Sequence, residues 1–210
     1  MELIKHAHAC VTLTKDGRTL LIDPGTFTPN SARLMAEADA ILVTHEHFDH
    51  VDEAALRAEL ARRPNLRVHS TAEVAAKLGQ QALAVAAGDR VEVAGFDVSV
   101  HGERHALIHA DIPQAQNVGF LVDDHLFHPG DSYSVPDGNV ETLLVPTSGP
   151  WTKLGEAADF VRAVRPGRTI QIHELMLSEL GQNSTARFLG EDGLTDTPLE
   201  ILPVGRSTAL

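Results

Sequence analysis

The chain has one cysteine, Cys10, so it cannot close an internal disulfide. Aromatic residues make up only 4% of it, with a single Trp and a single Tyr. Leu, Val, Ile and Ala must therefore fill most of any core. No apolar run approaches the roughly 20 residues that a membrane helix needs, so no membrane association is expected. Met1–His6 meets charge at Glu2 and has no apolar signal-peptide core. With the lone cysteine, this predicts a cytoplasmic location. Basic residues are also scarce: 17 Lys and Arg face 29 Asp and Glu, for a net charge of −12. Arg57, Arg62 and Arg63 are interleaved with Glu53 and Glu59, which reads as a solvated helix face and not as a phosphate footprint. These features count against nucleic acid as a partner. A small-molecule substrate is expected instead, and an anionic one stays compatible because bound dications offset charge locally. Composition sets no oligomeric state.

The hydrophobic fraction of 43% over 210 residues supports one globular domain spanning 1–210. Within it, His45-Glu46-His47-Phe48-Asp49-His50 concentrates ligand-type side chains directly after the apolar run Ala40–Thr44. Imidazole nitrogen and carboxylate oxygen suit Zn²⁺ and similar ions. A single His is ordinarily a satisfied core or surface residue, but a cluster this dense at a strand end is not so explained. The helical zincin pattern, His-Glu-x-x-His, is absent, because Asp49 stands where its second His would be. A Gly-x-Ser-x-Gly nucleophile elbow is missing as well.

Strands are expected at Leu3–His6, Cys10–Leu13 and Thr19–Ile22, the last two joined by a turn at Asp16-Gly17. A short helix over Ser31–Glu37 precedes the Ala40–Thr44 strand. Asp52 is placed to cap a helix running to Arg63, where Pro64 ends it. Further strands are read near Arg67–His69, Ala82–Val85, Arg90–Val93, Phe96–Val100, Val118–Asp123, His125–Phe127, Glu141–Val145 and Arg168–Ile172, with a helix over Ala72–Leu78. An amphipathic helix from about Thr152 to Val164 carries Leu154, Ala157, Ala158, Val161 and Val164 on one face. This alternation alone is compatible with several α/β architectures.

The His-x-His-x-Asp-His string resembles the signature of the metallo-β-lactamase fold superfamily. Later residues extend the likeness: His105 after Phe96–Val100, Asp131 in His128-Pro129-Gly130-Asp131, and His173 after Arg168–Ile172. The opening His6–Val11 and Ile22-Asp23-Pro24-Gly25 are similar to compact members grouped with L-ascorbate-6-phosphate lactonase. The resemblance implies a four-layer αββα sandwich and two divalent metal ions. Zinc ranks first and manganese next, with iron also compatible. It implies that His45, His47 and His105 hold one metal, that Asp49, His50 and His173 hold the other, and that Asp131 bridges them. The implied activity is metal-dependent hydrolysis of a small ester, lactone, amide or phosphodiester by a metal-bridging hydroxide. Two other classes stand beside it: an iron-dependent redox or sulfur-transfer enzyme, and a non-catalytic metal-binding protein. Di-iron members usually carry Glu where this chain has His47, which favours the hydrolase.

Asp49 and His128 are the candidate catalytic side chains, His128 as a ligand orienter or proton donor three residues before Asp131. His8 and Asp23 lie near strand ends and are candidates to support a ligand, with a turn-forming role for Asp23 as the alternative. His101 and His109 compete with His105, which ranks first because it sits just past the strand. Tyr133 and Trp151 are either aromatic groups at the site mouth or closures of the core rim.

Overall fold

In the computed structural model, which describes residues 1–210, the chain first builds one sheet and then a second facing it. The first is formed by β1 (Glu2–Lys5), β2 (Val11–Lys15), β3 (Arg18–Ile22), β4 (Ala40–Val43), β5 (Val68–Ser70) and β6 (Ala82–Ala84). Its helices are α1 (Ser31–Glu37), α2 (Glu53–Arg62) and α3 (Ala72–Leu78). The second is formed by β7 (Arg90–Val93), β8 (Phe96–His101), β9 (Gly119–Val122), β10 (Leu126–His128), β11 (Thr142–Pro146), β12 (Arg168–Ile172) and β13 (Leu199–Glu200). Its helices are α4 (Leu154–Val164) and α5 (Glu179–Phe188). The last strand, β14 (Ser207–Ala209), returns to pair with β1, so both sheets have seven strands.

Three apolar clusters define the layers. Leu3, Leu13, Leu20, Phe96, Val98 and Phe120 belong to the cluster between the two sheets. Met35, Ile41, Leu56 and Leu60 join the first sheet to α1 and α2, and Phe127, Leu143, Phe160 and Val161 join the second sheet to α4. The protein is thus a four-layer αββα sandwich. Burying each such side chain contributes about 1.5–3 kcal/mol. Strands β4, β9 and β11 are buried along their whole length, which is why they read as unbroken apolar runs.

Local signals set the element ends. Asp52 accepts the Ala55 N–H at 3.0 Å and caps α2. Asp16 and Gly17 both take positive φ in the turn between β2 and β3. Helix α4 begins at Leu154, two residues later than expected, and ends at Arg165 in the left-handed region, ahead of Pro166. Helix α5 and strands β13 and β14 lie outside the elements expected from the sequence. None of the α5 side chains is buried, so its apolar period is weakly marked.

Strand direction positions the site. Strands β3, β4 and β5 run parallel, and β1 runs with them because β2 opposes both β1 and β3. In the second sheet β10, β11 and β12 are parallel, and β8 shares their direction through the opposed β9. The chain leaves β1, β3, β4, β8, β10 and β12 at the C-terminal end of each strand. The residues that follow are His8, Asp23, His45–His50, His105, Asp131 and His173. Backbone hydrogen bonds stitch the two sheets together there, from Val118 N–H to Thr44 O at 3.0 Å and from His173 N–H to His8 O at 3.0 Å. No helix is long and apolar enough to cross a membrane.

Candidate metal centre

Two groups of ligand-type side chains converge at this edge. His45, His47, His105 and Asp131 form one, and His8, Asp49, His50 and His173 form the other. Within each group the ligand atoms lie within 4.8 Å of one another. Asp131 reaches both. Its Oδ2 is 3.3 Å from His105 Nε2 and 3.2 Å from His173 Nε2, and its Oδ1 is 3.0 Å from His50 Nε2. The structure therefore brings all seven expected ligand residues together, and adds His8.

The ligand loop is held by close backbone approach. A Cβ on Gly25 would collide with the Asp49 carbonyl, and a Cβ on Gly130 would collide with Asn117 and Thr44. Gly130 also sits at φ +63, where side chains are strained. Asn117 clamps the turn before the bridging carboxylate: its Nδ2 donates to Pro129 O at 2.9 Å, and its Oδ1 accepts the Asp131 N–H at 2.9 Å. His8, Asp23 and His173 have φ of 62, 52 and 54, all in the left-handed region. Such conformations cost on the order of 1–3 kcal/mol each and persist when surrounding contacts fix them.

Asp23 sets the ring orientation in both groups. Its Oδ2 accepts from His50 Nδ1 at 2.7 Å and from the Thr44 hydroxyl at 2.7 Å, while Oδ1 accepts the Thr44 N–H at 2.7 Å. With its proton given to Asp23, the Thr44 hydroxyl accepts from His45 Nδ1 at 3.0 Å. His105 Nδ1 donates to Ala106 O at 2.6 Å. In His45, His50 and His105 these bonds leave Nε2 as the nitrogen facing inward.

Those inward nitrogens have nothing to bond. Nε2 of His45, His50, His105 and His173, together with Asp131 Oδ1, are buried without a hydrogen-bond partner. His50 Nε2 is near Asp131 Oδ1 but is not aligned for a hydrogen bond. One unsatisfied buried polar group costs about 1–3 kcal/mol, so five facing one space need a common partner. Divalent cations fit this imidazole and carboxylate donor set. Cys10 is buried, its thiol pKa is raised by that burial, and it is not among these groups.

Charge differs across the centre. Burial, then the neighbouring His50, holds the His45 pKa well below its usual value; burial and His105 lower that of His47. Burial opposes charge on His50 too, but the Asp131 and Asp23 carboxylates outweigh it and hold its pKa well above the usual value. For His173, Asp131 and Asp49 overcome burial and raise the pKa to about 8. The pKa values of Asp131 and Asp49 are lowered despite burial: the nearby His50 and His173 act on the first, and the nearby His173 together with a hydrogen bond from His8 on the second.

The other sequence candidates separate clearly. His8 donates from Nε2 to Asp49 Oδ2 at 3.1 Å and lies against the His173 ring at 3.7 Å between centroids. Beneath it, Lys5 and Glu174 form a buried ion pair at 2.6 Å. That pair left no trace in the sequence pattern, since its members stand 169 residues apart. His128 is fully buried with both nitrogens engaged by backbone: Nε2 donates to Ala9 O at 2.8 Å and Nδ1 accepts the Gly130 N–H at 3.1 Å. This arrangement leaves His128 no nitrogen for a substrate and corrects the expectation of a proton donor. His101 pairs with Ser99 at 2.9 Å, and His109 is exposed beside Asp111; neither enters the groups. Tyr133 is half-buried against Trp151 and Phe160 and closes the core rim. Trp151 is buried, and its indole N–H donates to Asp131 Oδ2 at 2.9 Å.

Comparison with known proteins agrees with this geometry. The model of the β-lactamase superfamily domain matches residues 2–173. Protein Rv0786c of Mycobacterium tuberculosis is 36% identical over 209 residues, covering 97% of each chain. The UPF0173 metal-dependent hydrolase Ta0764 of Thermoplasma acidophilum is 25% identical over 186 residues, covering 82% of this chain and 83% of its own. Among solved structures, Igni18, a metallo hydrolase from Ignicoccus hospitalis, superposes with a TM-score of 0.74 at 18% identity. That superposition covers 99% of this chain and 97% of the other.

Proposed function

The chain belongs to the β-lactamase superfamily, in its metallo-β-lactamase branch, and from that membership we propose that it is a dinuclear metal-dependent hydrolase of small esters, lactones, amides or phosphodiesters. The observation that carries this reading is the set of buried, unpartnered Nε2 atoms aimed at one carboxylate, Asp131. His45, His47 and His105 would hold one cation, Asp49, His50 and His173 the other, with Asp131 between them. When bound, such a pair lowers the pKa of water from near 15.7 to about 7 and polarises the scissile carbonyl or phosphoryl group. The protein supplies the rest: Asp23 and Thr44 fix the rings, and Asn117 fixes the backbone of Asp131. Zinc fits the donor set first and manganese next. Hydrolysis adds the elements of water across one bond, so no side-chain nucleophile or redox partner is required.

The test is elemental analysis of the purified protein paired with lactone, β-lactam and phosphodiester substrates. Two divalent ions per chain are expected, with hydrolysis of at least one class that stops on chelation and returns with Zn²⁺ or Mn²⁺. A protein free of transition metal after growth and purification with both ions, or hydrolysis indifferent to chelation, would sink the reading.

A further inference from the structure

Given that hydrolase reading, on which this step rests, we infer that the substrate carries an apolar group, lodged against a rim of exposed apolar side chains beside the metal ligands. Phe48 is 63% exposed and stands between His47 and Asp49. Leu107 and Ile112, 60% and 46% exposed, lie on the loop after His105; Leu175 and Met176, 46% and 54% exposed, follow His173. Three separate ligand-bearing loops thus end in apolar groups that water alone would not select.

Two further observations tie this rim to the centre. A small cavity of about 20 Å³ has His47 and His105 in its wall, together with Ile108, Ile112 and Pro113. On the other half, the Phe48 ring meets Phe27 edge-on at 5.5 Å, Phe27 meets His8 at 5.1 Å, and His8 lies on His173. The apolar surface is therefore continuous with the ligand rings on both halves.

Cations that could hold a phosphate or carboxylate are committed elsewhere. Lys77 pairs with Glu46 of the ligand loop, Lys153 with Glu156, and buried Lys5 with Glu174. Arg104 precedes His105 but lines a separate cavity of about 490 Å³ with Glu73, Glu103 and Gln116. The three lysines are thus paired with carboxylates, and Arg104 faces a different cavity, so none of these cations is turned to an anionic substrate at the centre. An acyl or alkyl chain finds a surface that fits it.

Two measurements on the metal-loaded protein test the inference. The first is calorimetric binding of straight-chain hydroxamates, from acetohydroxamate to octanohydroxamate, whose common head group binds metal. Affinity should rise about twofold to fourfold for each of the first methylenes, the upper figure being full burial of a CH₂. Leu107→Ser and Met176→Ser should flatten that rise, while Val204→Ser, at an exposed site outside the ligand loops, should leave it intact. The second is kcat/KM for p-nitrophenyl acetate, butyrate and hexanoate, with the succinate monoester as the anionic counterpart of butyrate. Butyrate should exceed the succinate monoester, and hexanoate should exceed acetate by tenfold or more.

A flat hydroxamate series, whether or not two copies of the chain cover the rim, overturns the inference, as does preference for the succinate monoester. The hydrolase reading fails differently. Hydroxamate affinity that rises with chain length, without chelator-sensitive turnover of any ester, removes the hydrolysis and leaves the apolar recognition.

Discussion

The two halves of the metal centre share Asp131 but treat protons in opposite ways. His45 and His47 are held neutral by burial and by neighbouring imidazoles, so their nitrogens are free to bind a cation at neutral pH. His50 and His173 sit among Asp23, Asp49 and Asp131, whose carboxylates hold protons on them. In the metal-free protein the second half is therefore a buried cluster of ion pairs, and the first is a cluster of neutral rings. A cation entering the second half must displace protons, and its affinity there is coupled to pH. The first half is prepared for metal; the second has a proton-based substitute that keeps its carboxylates paired.

The largest change comes from removing what the halves share. Asp131→Ala should remove both cations and lower activity by more than the 10–100-fold typical of losing a partner outside the ligand set. His128→Ala gives the contrast: its nitrogens serve only backbone groups, so its cost should be lower stability with metal content unchanged. Equal metal loss in the two variants would break the assignment of a shared ligand. Stripping both cations comes next. A ligand present at 100 times its Kd stabilises the native state by about 2.7 kcal/mol. Chelation should then lower Tm by roughly 5–10 °C, reversed by Zn²⁺ or Mn²⁺. An unchanged melting curve after confirmed metal removal would mean that the halves do not need cations to balance their charge.

Much of this site was legible because its ligands stand at strand ends with recognisable neighbours. His45–His50 follows a fully buried strand, and His173 follows β12, whose expected bounds match the observed ones. What was not legible depends on contacts between distant strands. Asp23 is expected to support a ligand, and it does, but nothing local shows which: it holds His50 and, through Thr44, His45. Asn117 and the Lys5–Glu174 pair are hidden for the same reason. His128 misled because closeness in sequence to Asp131 says nothing about which way a ring faces. Helix α5 was missed because an unburied helix lacks the apolar stripe from which helices are read.

Asp23→Asn isolates the carboxylate that joins the two halves. The amide keeps the shape but loses the charge beside His50, so metal affinity should fall about 10–100-fold. Loss should be greater in the second half, where Asp23 bonds His50 directly, than in the first, which it reaches through Thr44. Spectra of the Co²⁺-substituted protein would separate the two positions, and equal loss in both would argue against that difference.

A pH series sharpens the proton contrast. His173 has a folded pKa of about 8 against about 6.5 unfolded, so the native state holds its proton more tightly. Its contribution to stability is full below about pH 6.5 and is lost as pH rises through 8. His50 acts in the same direction. His45 and His47, whose pKa values are lowered, oppose the trend only near pH 6.5, where an unfolded His is still partly charged, and not above about pH 7.5. The metal-free protein should lose about 2 kcal/mol between pH 6.5 and 8.5, measured by urea unfolding. Metal affinity should rise over the same interval. Metal-free stability that rises with pH would reverse the assignment of protons to the second half.

The smallest expected effect belongs to Trp151. Its indole N–H donates to Asp131 Oδ2, the oxygen that faces both His105 and His173. A donor on that oxygen draws off electron density and fixes the carboxylate plane. Trp151→Phe keeps an aromatic group against Tyr133 and removes the donor. The net loss of one hydrogen bond to a charged group is about 1.5–3 kcal/mol, reduced here because a cation would still hold the freed oxygen. Metal should stay bound, with a few-fold change in kcat and a small shift in its pH profile. KM should change little, because the buried indole is not part of the exposed rim. A raised KM with unaltered kcat and pH profile would instead place Trp151 against the substrate, and Asp131 would then need no outside donor to hold its place between the two halves.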